Sequence, residues 1–429
     1  MSLTQATAIN MIDMVGIGPF VTISFVVGLM QGPISKLAWL LGALLAYMDG
    51  MVWAEMGAKW PEAGGSYVFL QKIFGGRFGK LMAFLFIWQT TIQAPLVVAS
   101  GAIGFSGYLE YLVPLGYYGR KAVSGALVIL IIALLYRDIK SIGRISVLFW
   151  IITGGTILWL IFSGIPHFNA AQAFDWNISG NTFSALFFVA LGQASLKSVY
   201  SYLGYYNVCH LGAEIKDPAR NIPRSIFISI TGIAILYISM QLAVLGVLPW
   251  QEIAASEFVV STYFERIYNH TVGQIATVLI LCIALASLFS VVLGYSRIPY
   301  AAAKNGDFFK VFAKVHPRLH FPHVSLLALG GLAFIFSLLF KMKDVITAII
   351  VMRILIQFVS QAVGVIAWRY SRRGDERPFR MPLFPMPAII SIIIWLFILF
   401  SSDWQYISFA FGIIVLGVIL FKLKERYGT

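Results

Sequence analysis

The sequence predicts an all-α integral membrane protein of about twelve transmembrane helices. They form a 5+5 inverted repeat with broken helices 1 and 6, followed by two further helices. Three observations predict this class. Of 429 residues, 59% are hydrophobic and 11% charged, with a mean hydropathy of +0.84. Such a chain has too little polar surface to cover a water-soluble globule. Stretches of the ~20 apolar residues needed to cross a bilayer recur along its whole length. Finally, two stretches five spans apart are interrupted near their centres. An odd number of spans per half forces the halves into opposite orientations, so the repeat is an inverted one.

The apolar stretches lie near 5–28, 37–54, 80–112, 122–136, 146–165, 184–211, 224–248, 272–300, 323–341, 345–369, 386–402 and 406–422. They divide the chain into a first five-helix unit (1–165), a second (166–370) and a pair of extra helices with a short tail (371–429). Leu3 to Leu29 runs on without a small-residue cleavage site, so span 1 is expected to act as its own insertion signal. Cys209 and Cys282 both fall inside spans, which argues against a structural disulfide and against a metal site.

Charge sets the expected orientation. The loops sharing a side with both termini hold 23 of the 31 basic residues, and the opposite loops hold six. The positive-inside rule then places both termini in the cytoplasm of a cell membrane, plasma or inner. A net charge of +13 is what many short cytoplasmic loops beside anionic lipid carry, and it calls for no nucleic acid. Lys197, Arg353, Asp13 and Asp49 fall inside spans. Ionisable groups at that depth usually face a bundle interior or a wet cavity, because burying them in lipid costs ~2.5–3.5 kcal/mol or more.

Span 1 carries "MIDMVGIGPFVTIS" at 11–24, with Gly16, Gly18 and Pro19 weakening the helix near its middle. A break there survives only where it is buried in protein or lines a cavity. A plain proline kink is the competing reading, since glycine and proline are common in membrane helices. Gln89 and Gln93 sit one turn apart on span 3 and border any pocket on that face. Span 6 reads "KSVYSYLGYYNVCHLGAEIKDPARNIPRS" at 197–225 and has its own weak point at Ser201, Tyr202, Leu203 and Gly204. Interrupted spans at corresponding positions of two halves are the best sequence pointer to a transporter's binding site. Exposed amides at such breaks suit a carboxylate, and exposed carbonyls suit an ammonium. On span 10, Arg353, Gln357 and Gln361 follow an i, i+4, i+8 spacing and share a face. They line an outer vestibule or gate, or tie helices together. His316, His320 and His323 lack the converging ligands of a zinc site. The stretch 302–316 reads as a short basic helix on the cytoplasmic face.

Four segments resemble the amino acid–polyamine–organocation superfamily, and most of all its L-type and cationic amino acid transporter branches. They are "GIGPF" at 16–20, "AEMGAKWPEAGGSYVFLQKIFG" at 54–75, "YSYLGYYN" with "AEIKDPARNIPRSI" from 200, and "YSRIPYAAAKNGDFFKVFAKVHPRLHFPHVS" at 295–325. The resemblance implies an amino acid permease working by alternating access, as an ion-coupled symporter or an exchanger. It places the substrate carboxylate on the backbone of Gly16, Ile17 and Gly18. It places the ammonium on carbonyls near Met14, Tyr200, Ser201 and Leu203, with Tyr200 as an aromatic lid. The chain departs from the family pattern at Ile17 and Pro19, where a hydroxyl and an aliphatic residue are usual, and at Leu203, which replaces a common glycine. Leu203 makes the pocket smaller, which argues against a very bulky side chain, and neither broken segment supplies a carboxylate after Asp13, which favours a neutral amino acid over a polyamine or a cationic one. The span 5 lysine of some branches is absent, and Thr153 falls near its place. No organic cofactor is expected. A coupling ion is, either Na+ held by Ser287 and Ser290 with span 1 carbonyls, or H+ carried by Lys197 or Asp13. The expected partners are an amino acid and membrane lipid, with no nucleic acid; an accessory subunit is left open. A channel would show a filter or ring of like groups, and an enzyme a nucleophile with its base; the sequence offers neither.

Overall fold

Span 1 forms as two helices because Gly16, Gly18 and Pro19 cannot sustain one. Helix α1 (Leu3–Met14) stops, and α2 (Gly18–Met30) restarts with its proline in the first turn, where its missing N–H costs nothing. The two halves are bent by 50°. Helix α3 (Lys36–Lys59) crosses back to α4 (Ser66–Phe74), which lies before the long α5 (Gly76–Leu109). Helices α6 (Gly116–Leu135), α7 (Ile142–Gly164) and the single turn α8 (Ala170–Ala173) follow. Span 6 breaks into α9 (Ala185–Tyr202) and α10 (Asn207–His210). Next come α11 (Pro218–Val247), the short α12 (Trp250–Ala255) and α13 (Val259–Ile267), α14 (His270–Tyr295) and α15 (Arg297–Lys304). Helix α16 (His323–Leu339) precedes α17 (Met342–Arg353), which passes through a π-helical turn at Ile354–Val359 into α18 (Ser360–Ser371). Helices α19 (Met386–Phe400) and α20 (Trp404–Tyr427) end the chain.

This computed structural model describes residues 1–136, 142–176, 183–318, 321–372 and 374–427. Among them, the only strand-like pairing is one isolated bridge, Ala63 to Leu211. Among the described residues, seven helices, and the bent pair α1/α2 as an eighth span, are long and apolar enough to cross a membrane; three more apolar helices are shorter. Helix is present in each of the twelve apolar stretches. The expected basic helix at 302–316 is not continuous. It ends at Lys304 and, after Gly306 at φ +79°, resumes only as a 3-10 turn at Lys310–Ala313.

Two packed groups organise the molecule. Helices α1, α2, α3, α9 and α11 pack most extensively on one another, and α5, α6, α14 and α16 form the second group. The second group has its own apolar cluster, with Val98 and Ala102 against Val128, Leu288, Val292 and Leu329. Contacts of α2 with α5 and of α1 with α14 are thin by comparison. Both termini lie on one face. There the N-terminal amine donates to the Glu214 carbonyl, Lys59 to the Glu376 carbonyl at 2.7 Å, and Arg77 pairs with Glu425 at 2.7 Å. The opposite face is tied by Arg120–Glu257 at 2.6 Å, Arg266–Glu252 at 2.8 Å and Lys121 to the Phe340 carbonyl at 2.6 Å.

Candidate functional site

The two breaks meet. Gly204, at φ +121°, sits so close to span 1 that a Cβ there would lie 2.8 Å from the Met14 nitrogen and 2.9 Å from the Asp13 carbonyl carbon. A Cβ on Gly18 would lie 2.9 Å from the Tyr200 ring, and one on Gly16 2.7 Å from Ser287 Oγ. Only glycine permits this approach of backbone to backbone. Polar ties fix the arrangement: Thr22 Oγ1 and Ser201 Oγ are 3.0 Å apart, and the Val208 amide donates to Asn10 Oδ1 at 2.8 Å.

The interruptions leave backbone groups unpaired. Among the described residues, the amides of Gly16, Ile17 and Gly18 donate to no protein acceptor. The carbonyls of Tyr200, Ser201 and Leu203 likewise accept no hydrogen bond from the protein. The amides stand at the positive end of α2 and the carbonyls at the negative end of α9. The site therefore offers two opposite partial charges side by side. The Met14 carbonyl differs from the expectation, since it already accepts from the Tyr237 hydroxyl at 2.8 Å.

A cavity of about 80 Å³ lies between the breaks, walled by Asp13, Met14, Gly16, Ile17, Gly18, Tyr200, Ser201, Leu203, Gly204 and Arg353. Val97 and Gly101 of α5, Ser287 and Tyr295 of α14, and Tyr206 close it. The Tyr200 hydroxyl reaches Ser100 Oγ at 2.8 Å, which lays its ring over Gly18. A second cavity of about 420 Å³ shares Asp13, Ser287 and Val291 with the first and runs on past Thr153 and Ser290 between α1, α6, α7, α11 and α14. Asp13, at the end of α1, is solvent-accessible because its side chain opens onto both cavities.

Several expected residues are placed differently. Tyr202 does not line the cavity. Helical geometry turns it away from Ser201 into an aromatic nest with Trp39 and Tyr237, at ring distances of 6.1 and 5.4 Å. Gln93 is buried but does not line the cavity, and Gln89 donates to the Met352 carbonyl. Lys197 is not near Asp13. It donates to the Lys343 carbonyl at 2.7 Å and to Thr347 Oγ1 at 2.6 Å, pinning α9 to α17 on the side of the break away from the termini. Arg353 and Gln357 do not form an outer vestibule. Arg353 is part of the cavity wall, donates to the Tyr206 hydroxyl, and is held by Gln357 Oε1 at 2.6 Å. Gln361, next along the face, points its amide at the Gln357 carbonyl in the half nearer the termini. The sequence reading missed Tyr206 and Tyr295. Both lay inside quoted segments, but nothing in their spacing separated them from the many other tyrosines.

No group of three His, Cys, Asp or Glu that could hold a metal occurs among the described residues. His316 and His323 pack edge to face at 5.6 Å, and His320 lies outside the described residues.

A family model described as "Amino acid permease" matches residues 1–421. The chain belongs to the amino acid permease family. It is similar to human cationic amino acid transporter 4, 25% identical over 409 residues, covering 90% of this chain and 61% of that protein. It is 26% identical over 378 residues to the serine/threonine exchanger SteT of Bacillus subtilis, covering 85% and 82% of the two chains. It is also 26% identical over 405 residues to mouse Asc-type amino acid transporter 1, covering 90% and 73%. The chain thus spans less than two thirds of the length of cationic amino acid transporter 4.

Proposed function

We propose that this chain is a secondary active carrier of small neutral amino acids, working by alternating access. The observation that carries the reading is the pairing of unsatisfied amides at Gly16–Gly18 with unsatisfied carbonyls at Tyr200, Ser201 and Leu203 across one cavity. An α-amino acid presents a carboxylate and an ammonium on the same carbon, and each finds its complement within the site. Unsatisfied backbone groups at this depth cost several kcal/mol each unless a ligand or water meets them.

Size supports a small side chain. One water needs about 10–15 Å³ of such space, so a cavity of about 80 Å³ suits a ligand of few heavy atoms. Arg353 in the wall disfavours a second positive charge on the substrate, which weighs against the polyamine and cationic alternatives. The name of the bacterial relative, a serine/threonine exchanger, specifies two small neutral amino acids as the substrates of that protein.

The reading includes a cell-membrane location with the termini-bearing face cytoplasmic, and two five-span halves at 1–165 and 166–370 with 371–429 outside them. It also includes coupling to Na+ or H+. Asp13, Thr153, Ser287 and Ser290 border the 420 Å³ cavity and supply the oxygens a hard cation takes.

Radiolabelled L-alanine or L-serine uptake into proteoliposomes, with Na+ and H+ gradients imposed separately, tests this. Saturable uptake is expected. Gly18→Leu, which drives a side chain into Tyr200, abolishes it while the protein still inserts and purifies as a monodisperse species. Normal uptake by that variant would remove the assigned site.

A further inference from the structure

One buried carboxylate lies outside the cavity wall. Asp49, near the middle of α3, is 1% exposed. Its oxygens accept from the Tyr205 hydroxyl at 2.5 Å, Ser391 Oγ at 3.1 Å and Trp395 Nε1 at 3.3 Å. All three donors are neutral, and no cation within 4.0 Å pairs with it among the described residues. A lone ionised carboxylate in the membrane interior is costly, and three donors offset only part of that cost.

Its first donor links it to the substrate cavity. Tyr205 belongs to the turn 203–206 that breaks span 6, and its neighbours Leu203, Gly204 and Tyr206 line the cavity. Tyr205 and Tyr206 pack edge to face at 5.0 Å. The contacts then close a ring. Tyr206 receives Arg353, Arg353 lies 5.3 Å over Phe358 of the π-helical turn, and Phe358 stacks on Trp395 at 4.1 Å and 7°. Trp395 returns to Asp49. The charge on Asp49 therefore acts on the turn that shapes the site, on Arg353 in its wall, and on α19.

The surroundings of Asp49 leave few other titratable groups. On α11 the facing side chains are Ile226 and Ile230, set against Gly50. Helix α19 presents Ser391 and Trp395. The Arg369 side chain of α18 is engaged by Glu55, farther along α3. Lys197 of α9 is held on α17. Tyr205 and Tyr206, with Arg353 behind them, are what remains.

We propose that Asp49 is the proton-binding carboxylate of this carrier, exchanging its proton with cavity water past Tyr206 when the 203–206 turn carries Tyr205 away from it. The proposal rests on the transporter reading and names the coupling group. The proton comes from water on the side to which the cavity is open and bonds to an Asp49 oxygen. It leaves to water on the other side, and no other bond changes. Ionised, Asp49 accepts all three donors and holds the turn as seen. Protonated, it needs only one of its oxygens as an acceptor and releases Tyr205. Movement of the turn is thereby linked to occupancy by a proton.

The full chain in proteoliposomes tests this with radiolabelled L-alanine in two assays. Counterflow at equal pH reads binding and alternation; accumulation driven by a pH gradient reads coupling. For one proton per substrate, a gradient of about one pH unit sustains about tenfold accumulation. Asp49→Asn is expected to keep counterflow and lose accumulation. Accumulation by Asp49→Asn equal to that of the unaltered protein overturns the proposal, as does an unaltered protein that shows counterflow but ignores the pH gradient. If Asp49→Asn loses both activities or fails to fold, Tyr205→Phe decides. It keeps the ring and removes the donor, and a displaced pH midpoint of accumulation with counterflow intact supports the proposal. An unchanged midpoint overturns it. Absence of counterflow in the unaltered protein overturns the carrier reading first and this inference with it.

Discussion

Gly204 shows how much one hydrogen atom can decide. Its φ of +121° lies where L side chains are strained, and the backbone of Asp13 and Met14 fills the space a Cβ would need. Gly204→Ala therefore carries ~1–3 kcal/mol of backbone strain in addition to a clash that must push the two breaks apart. We expect transport of L-alanine to fall at least about tenfold, the rate equivalent of 1.4 kcal/mol, with insertion retained. Gly412→Ala, where nothing lies within 4 Å, is the matched control and stays near the unaltered rate. Which glycines matter was legible in the sequence only in part. Gly16 and Gly18 stood out because they and Pro19 interrupt an apolar run, and Gly204 because it sits in the matching run. The facing of neighbours was not legible. Ser201 and Tyr202 are adjacent in sequence, yet one reaches Thr22 at the cavity and the other packs on Trp39. Only the true end of α9 decides between them. Lys197 and Asp13 looked like partners because both are intramembrane charges near breaks, but Lys197 finds its acceptors on α17, 146 and 150 residues along the chain.

At the scale of elements, long apolar spans were legible within a few residues because hydropathy over ~20 positions averages out local ambiguity. Short elements were not. The helices α12 and α13, on the face away from the termini, have too few residues for such averaging, and α13 is amphipathic, burying Val259, Val260, Tyr263 and Phe264 while exposing Glu265 and Arg266. The π-helical turn at Ile354–Val359 carries no proline or glycine to announce it. It shifts the register between Arg353 and Gln361, which is why a simple i, i+4, i+8 face failed to locate them. The α13–α14 corner also yields a pH prediction. Glu265 accepts from the Tyr111 hydroxyl at 2.6 Å and lies 3.0 Å from His270 Nδ1. The Tyr111 hydrogen bond, with a smaller part from His270, holds its carboxyl below the ordinary 4.5. A depressed carboxylate adds stability above its ordinary range and loses it as pH falls through the folded value. With the side chain 42% exposed, screening limits this to about 0.5 kcal/mol. Thermal unfolding in detergent should show Glu265→Gln slightly destabilised at neutral pH. The difference from the unaltered protein should shrink toward zero at acidic pH below the ordinary carboxylate range; a constant offset across pH would contradict it.

The whole molecule reads as two packed bodies meeting across a small polar cavity, and thin contact between them is what permits one to move against the other. On the side of the cavity away from the termini, two tyrosine hydroxyls bridge the bodies. Tyr108 of α5 donates to the Phe20 carbonyl at 3.0 Å, and Tyr200 of α9 meets Ser100 of α5 at 2.8 Å. On the termini side the small cavity continues into the 420 Å³ space lined by Asp13 and Ser287. The conformation described is therefore latched on one face and hollow toward the other. Each bridging hydrogen bond contributes on the order of 1 kcal/mol net, enough to bias a two-state equilibrium about fivefold. Removing one should raise the population open on the latched face by that factor without harming either body's own core. Val97 lines the cavity and gives a reporter. In a background with Cys209→Ser and Cys282→Ser, Val97→Cys should react with a membrane-impermeant thiol reagent added on the 110–120 side. Adding Tyr108→Phe should speed that reaction about fivefold, in line with the one lost hydrogen bond. Substrate at saturating concentration should slow it again by filling the space between Gly18 and Tyr200. An unchanged rate in Tyr108→Phe would mean that the two bodies are not held by this latch and that closure on that face depends on the apolar packing of α12 and α13 over α2.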